Sequence, residues 1–223
     1  MTKLLLTLAL ALPLAAQTAA TDLYYLVFLR PAPDRTALAQ ADAERIQSAH
    51  MANIGSMAKR GVLVAAGPFG DKPTTISGVF FFKTGSIEEA RRIAAQDPTV
   101  VEHRNVVEVF AWRGPKGLGE EYARLHKADP KMPEDMGVHP FVMLRRGEGE
   151  ARGHSEYVAG LRRGGKLAAA GPIEGGGDLL EVLIFNRIPD DEAKRLVEDD
   201  PAVKAGALRP EHHRWWSAAH VLP

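Results

Sequence analysis

The stretch His50 to Pro68, HMANIGSMAKRGVLVAAGP, returns as His154 to Pro172, HSEYVAGLRRGGKLAAAGP. Each copy opens on a histidine, runs through a helical stretch to a glycine, and closes on a short apolar segment ending in Gly-Pro, at Gly67-Pro68 and Gly171-Pro172. Farther on, Ala90, Asp97, Pro98 and Trp112 find counterparts in Ala193, Asp200, Pro201 and Trp215, after a single one-residue deletion. A period of this length is one supersecondary unit written twice, and it governs how every flanking segment is read.

Upstream of the first copy, Tyr24 to Arg30 is rich in aromatic and β-branched residues and reads as a strand ended by Pro31 and Pro33. Apolar residues then recur at helical spacing from Leu38 to Arg60, and Gly61 is the C-terminal glycine. Val62 to Ala66 is a short buried strand, and Gly78 opens another over Val79 to Lys83. Ser86 with Glu89 forms a capping box for a second helix, which stops at Asp97-Pro98. Asn105 to Trp112 closes the unit as a fourth strand. The second copy repeats the order with Phe141 to Arg146, Gly153 to Arg163, Lys166 to Ala170, Leu179 to Asn186, Asp190 to Asp199 and Ala205 to Ser217. Pro210 places that last strand at an edge or a bulge. The order βαββαβ is the ferredoxin-like motif, an α+β unit with both helices on one face of a four-stranded antiparallel sheet. Two tandem units are expected to pack sheet to sheet within the chain, as an intrachain α/β barrel that can be monomeric. The expected organisation is a leader over 1–20, a first unit over 21–113, a linker over 114–137 with a short helix from Glu120 to Lys127, and a second unit over 138–223.

Lys3 followed by the apolar run Leu4 to Ala16, with small residues at Ala15, Ala16, Ala19 and Ala20, reads as an export signal cut between Ala16 and Thr21. That run is shorter than the roughly 20 residues a membrane span needs. The mature chain is therefore expected in the periplasm or outside the cell, with no stable membrane insertion. The 223 residues carry 28 basic and 28 acidic groups, so no net charge steers the protein to nucleic acid. No cysteine is present, which excludes disulfides, thiolate metal sites and cysteine nucleophiles. Chemistry is left to histidine, carboxylates, hydroxyls, lysine, arginine and tyrosine.

The helical histidine, the G-x-L-x-A-A-G-P run at Gly61 to Pro68 and Gly165 to Pro172, the E-E-A…D-P run at Glu88 to Pro98, and the closing tryptophan together resemble the YCII (YciI-like) family of the dimeric α/β-barrel type. The resemblance implies a pocket centred on His and Asp, and a distant kinship with lactone isomerases and with a dehydrochlorinase acting on an aromatic ring.

His50 lies one turn from Ile46 and one turn from Ile54, so its ring points inward; His154 has Val158 one turn on. Such a ring is either a core residue held by hydrogen bonds or a general base poised near neutrality. Asp97 either makes an Asp-Pro turn or orients His50, with Asp200 serving His154 alike; Asp71 is a rival partner whose counterpart, Asp178, is displaced. Gly67, Pro68, Gly171 and Pro172 either let a ligand approach the backbone or simply turn the chain. Neither run is a phosphate cradle. His212 and His213 point to opposite faces of a strand, cannot hold one metal together, and read as surface and packing residues. Trp112, Trp215 and Trp216 read as core or sheet-interface residues. The expected activity is that of a cofactor- and metal-independent lyase or isomerase, with His50 and His154 moving protons on a small carbonyl, lactone or phenolic compound and Asp97 and Asp200 orienting them. The alternatives are a small-molecule-binding module without catalysis and a structural relic of the fold.

Overall fold

A strand covered on both faces reads as a near-continuous apolar run, and Tyr24 to Leu29 is one. In the computed structural model, which describes residues 20–73 and 75–223, it lies in β1 (Thr21–Pro31). Tyr24, Leu26 and Phe28 join the core between two sheets, whereas Tyr25, Val27 and Leu29 join the layer under the helices. The expected leader lies, apart from Ala20, outside the described residues.

The first unit continues with α1 (Gln40–Lys59), β2 (Leu63–Pro68), β3 (Gly78–Phe82), α2 (Ile87–Ala94), the short α3 (Pro98–Val101) and β4 (Asn105–Pro115). Gly61 ends α1 in the left-handed conformation at φ +70°, as its place after Lys59-Arg60 implies. Ser86 Oγ accepts the Glu89 N–H, while the Glu89 carboxylate accepts from Gly85 rather than from Ser86, a capping box displaced by one residue. Ala90 and Ala94, both fully buried, let α2 lie close on the sheet. After α4 (Glu120–Ala128), the second unit supplies β5 (Met136–Arg146), α5 (His154–Arg163), β6 (Leu167–Glu174), β7 (Leu179–Phe185), α6 (Asp190–Glu198), α7 (Pro201–Lys204) and β8 (Leu208–Ala218). Each unit is thus the expected βαββαβ, with one further helical turn before its last strand. The units differ in their first helix: α1 extends well before His50, whereas α5 begins at His154.

The strands follow the order β2-β3-β1-β4-β6-β7-β5-β8. Two seams join the units. At one, Trp112 opposes Ile173 and its indole N–H donates to Gly171 O at 2.9 Å. At the other, Phe69 bridges Trp215 and Gly70 N–H donates to Arg214 O at 2.8 Å, which closes the sheet into a barrel. Fully buried Phe28, Phe81, Phe141, Trp112 and Trp215 fill the space between the sheets. Glycine at the seams has a specific reason: a Cβ on Gly67 would stand 1.7 Å from Trp216 O, and one on Gly171 1.9 Å from Arg113 O. Pro210 sits on β8 opposite Leu144 of β5, away from the Arg214–Trp215 stretch where β8 meets the first unit, so its missing N–H breaks no bond of the closing seam.

The segment expected to link the units is largely structured. β4 and β5 both extend into it, Leu118 is 1% exposed, and Gly119 N–H and Tyr122 N–H donate to Val221 O and His220 O. The connection and the C-terminal tail thereby join the core between the sheets through Leu118 and Val221.

Candidate functional site

The helix α1 carries His50 over the outer face of the first sheet, where its ring stacks on Phe80 of β3, with centroids 5.8 Å apart and 28° between planes. Its Nδ1 is 2.8 Å from Oδ2 and 2.9 Å from Oδ1 of Asp97. An ionised carboxylate only accepts, so Nδ1 carries the hydrogen and Nε2 is the lone-pair nitrogen of the neutral ring. Among the described residues nothing bonds to Nε2, and the side chain is 14% exposed.

Asp97 does not end the second helix; α2 stops at Ala94 and Asp97 instead N-caps α3. Its Oδ1 accepts the Thr99 N–H at 3.0 Å, and Oδ2 accepts from His50 and from Asn53 Nδ2 at 3.0 Å. The turn and the pairing with His50 are therefore compatible, because a carboxylate has enough lone pairs for both. Burial pushes this carboxyl upward, but the bonds from His50, Thr99 and Asn53 more than offset it and hold Asp97 below its ordinary value of 3.8.

The second unit reproduces the pair: His154 Nδ1 lies 2.6 Å from Asp200 Oδ2, and Asp200 Oδ1 accepts the Ala202 N–H to cap α7. There the likeness stops. His154 Nε2 is taken by Glu181 Oε2 at 2.9 Å. Burial pulls His154 down, but Glu181 and then Asp200 raise it more, so its pKa lies above the ordinary 6.5; with a carboxylate oxygen at each ring nitrogen, the form that fits this place is the doubly protonated cation. By strand register Glu181, opposite Pro172 and Leu144, corresponds to Gly78, opposite Pro68 and Leu29. In the first unit no side chain grows from that position, which is why Nε2 of His50 is left unbonded.

The Gly-Pro pairs do not turn the chain as the sequence allows: they lie within β2 and β6, paired with β3 and β7, beside these positions. At Gly67 and Gly171 the close backbone approach that glycine permits is taken up by the facing strand at each seam. Pro68 and Pro172 keep exposed rings next to Gly78 and Glu181.

Asp71 partners neither dyad. It reaches across the seam to the second unit, with Oδ2 2.6 Å from His213 Nδ1 and Oδ1 accepting the Arg214 N–H at 3.0 Å. His213 Nε2 lies 3.1 Å from Glu211 Oε1, and Glu211 Oε2 accepts from Arg145 Nε at 2.8 Å. Bonding to His213 lowers Glu211 most; that and the Arg145 bond outweigh burial and bring it to about 2. His213, which the sequence gives as surface or packing, is therefore buried and ionically tied. The other seam has Phe110 and Gly175 where this one has His213 and Asp71. That difference was visible in the repeat but carries no meaning until the strands are paired. Among the described residues no group of three or more His, Asp or Glu is arranged to hold a metal ion, and no helix is long and apolar enough to cross a membrane. Trp112 and Trp215 are fully buried between the sheets, while Trp216 is 39% exposed.

Residues 23–113 match the model of the YCII-related domain, which covers the first unit. No curated protein matches the sequence. A solved structure named "putative chlorite dismutase" aligns over 91% of this chain and 96% of its own, with a TM-score of 0.55 and 10% identity. Another, named "putative monooxygenase" from Lactobacillus acidophilus, aligns over 89% and 94%, with a TM-score of 0.47 and 12% identity. The first of these likenesses shows the fold, the dimeric α/β barrel, here built from one chain.

Proposed function

We propose that this protein is an exported acid–base enzyme with one working site, in which His50 moves a proton through Nε2 and Asp97 holds the ring, while the second unit is a diverged copy kept for structure. The observation that carries the reading is the contrast at the outer ring nitrogen: His50 Nε2 is unbonded and His154 Nε2 is held by Glu181. A general base needs a lone pair within reach of substrate and a partner on the other nitrogen to stabilise the imidazolium. His50 meets both conditions and His154 only the second. The substrate class is a small carbonyl, lactone or phenolic compound with an acidic C–H or O–H, and the reaction is an isomerisation or an elimination. Nε2 takes the proton; it is returned to another atom of the same molecule, or the electron pair expels a leaving group. Only His50, Asp97 and the substrate take part in that transfer. Export rests on Lys3 and the apolar run Leu4 to Ala16. The barrel closed within the chain supports a monomer.

The test is His50→Gln against His154→Gln, assayed on a panel of small lactones, enolisable ketones and halogenated phenols. His50→Gln is expected to lower turnover by about 10² to 10⁴-fold, and His154→Gln to leave it within a few fold. Equal losses in both would overturn the single-site reading, and full activity in the double variant would leave a binding module as the better account.

A further inference from the structure

Besides the bonds from its helix cap, from His50 and from Asn53 on the same helix as His50, Asp97 accepts one further hydrogen bond, which leads away from His50 into the protein. Thr99 Oγ1–H donates to Asp97 Oδ1 at 2.6 Å. Asn105 Nδ2–H donates to Thr99 Oγ1 at 3.0 Å, and Ser77 Oγ–H donates to Asn105 Oδ1 at 2.9 Å. Every donor in the chain points the same way, towards the carboxylate. The groups come from two places in the sequence: Ser77 from the segment before β3, and Thr99 and Asn105 from α3 and the adjoining start of β4. Asp97, Thr99 and Asn105 are all buried.

The fold itself does not need this chain. In the second unit the corresponding positions are Ala202, Leu208 and Leu180, with Asp200 still capping its helix and still bonded to His154. Ala202 and Leu208 are fully or almost fully buried there, and Leu180 packs against the same cluster. Polar groups in such a place cost desolvation, and an apolar set of similar shape is as stable or more so. Their presence only beside the histidine with the unbonded nitrogen asks for a reason other than stability.

We propose that Thr99, Asn105 and Ser77 are positioning residues for His50: they fix the Asp97 carboxylate in place and keep it ionised while the proton sits on the ring. The inference rests on the reading of His50 as the proton carrier. A carboxylate that accepts from a polarised chain of donors is a weaker base, so the proton that Nε2 collects stays on the imidazolium and is available to be returned to substrate. The same bonds stop the carboxylate from rotating, and through it fix the plane of the ring. The ionisable group bonded to Asp97 is His50 itself; its other partners, Asn53, Thr99 and the Thr99 backbone, do not titrate.

The experiment uses the full-length protein and needs no substrate. The Asp97 carboxyl carbon is titrated by NMR in Thr99→Ala, Asn105→Leu, Ser77→Ala and Thr99→Ser, with the amide spectrum as the check of folding, and the rate of His50 carbethoxylation by diethyl pyrocarbonate is read in the same samples. Thr99→Ala should raise the Asp97 midpoint by about one unit, the equivalent of one charge-assisted hydrogen bond. Thr99→Ser should restore it. Asn105→Leu and Ser77→Ala, which do not touch Asp97, should shift it in the same direction by less, and both effects should vanish when Thr99 is Ala. A folded Asn105→Leu or Ser77→Ala protein with an unmoved midpoint overturns the proposal, as does an Asn105→Leu effect that persists without Thr99. Ser77→Ala alone is sufficient if the larger replacement fails to fold. A wild-type His50 inert to the reagent would count against the acid–base reading, whatever the carboxyl titration shows.

Discussion

Glu181 Oε2 lies 2.9 Å from His154 Nε2, and the residue that stands at the place of Glu181 in the first unit is Gly78. One position in a paired strand thus decides whether a histidine is a fixed cation between two anions or a ring with a nitrogen to offer. The repeat gives both histidines the same helix and the same aspartate, and β3 or β7 then separates their chemistry.

Because the pKa of His154 is raised in the folded state, its contribution to stability is complete below the ordinary histidine value of 6.5 and is lost as pH rises through the folded value. Urea unfolding measured from pH 5 to pH 9 should show stability falling across that window. Glu181→Gln, which keeps the shape and removes one anion, should flatten the slope. A Glu181→Gln protein with the wild-type slope would show that the ring is not held charged by this contact.

Asp97 has the opposite sign. Its pKa is lowered by folding, so its contribution is present above about 3.8 and is lost as pH falls through the lower folded value. Asp97→Asn retains an oxygen to cap α3 but cannot stabilise an imidazolium, and the expected result is a loss of turnover larger than its loss of stability. Asp97→Ala removes the cap as well, which is typically worth about 1 kcal/mol more. Denaturant midpoints for the two variants beside the wild type measure the difference, and equal midpoints would mean the cap contributes nothing.

The seam clasp lends itself to a double-mutant cycle. Asp71→Gly and His213→Phe each remove one side of the 2.6 Å Asp71–His213 contact, at an expected cost of about 1–3 kcal/mol. Made together they install the residues found at the other seam, Gly175 and Phe110, and the double variant should be more stable than the sum of the singles predicts. Strict additivity in chemical denaturation would show that Asp71 and His213 do not stabilise each other.

Gly67 tests closure of the barrel. Since a Cβ there would meet the Trp216 carbonyl at 1.7 Å, Gly67→Ala should part β2 from β8 and expose the indole of Trp215, which is fully buried. Tryptophan fluorescence should shift to the red and the protein should bind a hydrophobic dye. Gly55→Ala, in a helix where a Cβ meets nothing within 4 Å, is the control expected to be neutral or slightly stabilising. An unshifted spectrum in Gly67→Ala would refute the seam argument.

Much of this architecture can be read along the chain, because helices and strands advertise themselves through local periodicity and a duplicated unit repeats its punctuation. Tyr24 to Leu29, Gly61 after Lys59-Arg60, and Ser86 with Glu89 each carry their structural reason within a few neighbours. The docking of residues 114–137 is less legible, since it depends on surfaces that distant segments provide. Asp97 shows the limit well: the turn it makes is local and visible, whereas the ring it holds is 47 residues away.

The two βαββαβ units, the helical place of His50 and His154, and the lack of cysteine chemistry can be read from the chain alone, because they follow from composition and from contacts within a turn or two. Which carboxylate meets which histidine is set by the packing of the folded chain. Glu181 reaches His154 across 27 residues and Asp71 reaches His213 across 142, and nothing in local spacing encodes a contact that exists only once strands are in register. The difference between Gly78 and Glu181 is one letter in the chain; it becomes a difference in chemistry because the sheet holds that letter beside a histidine's outer nitrogen.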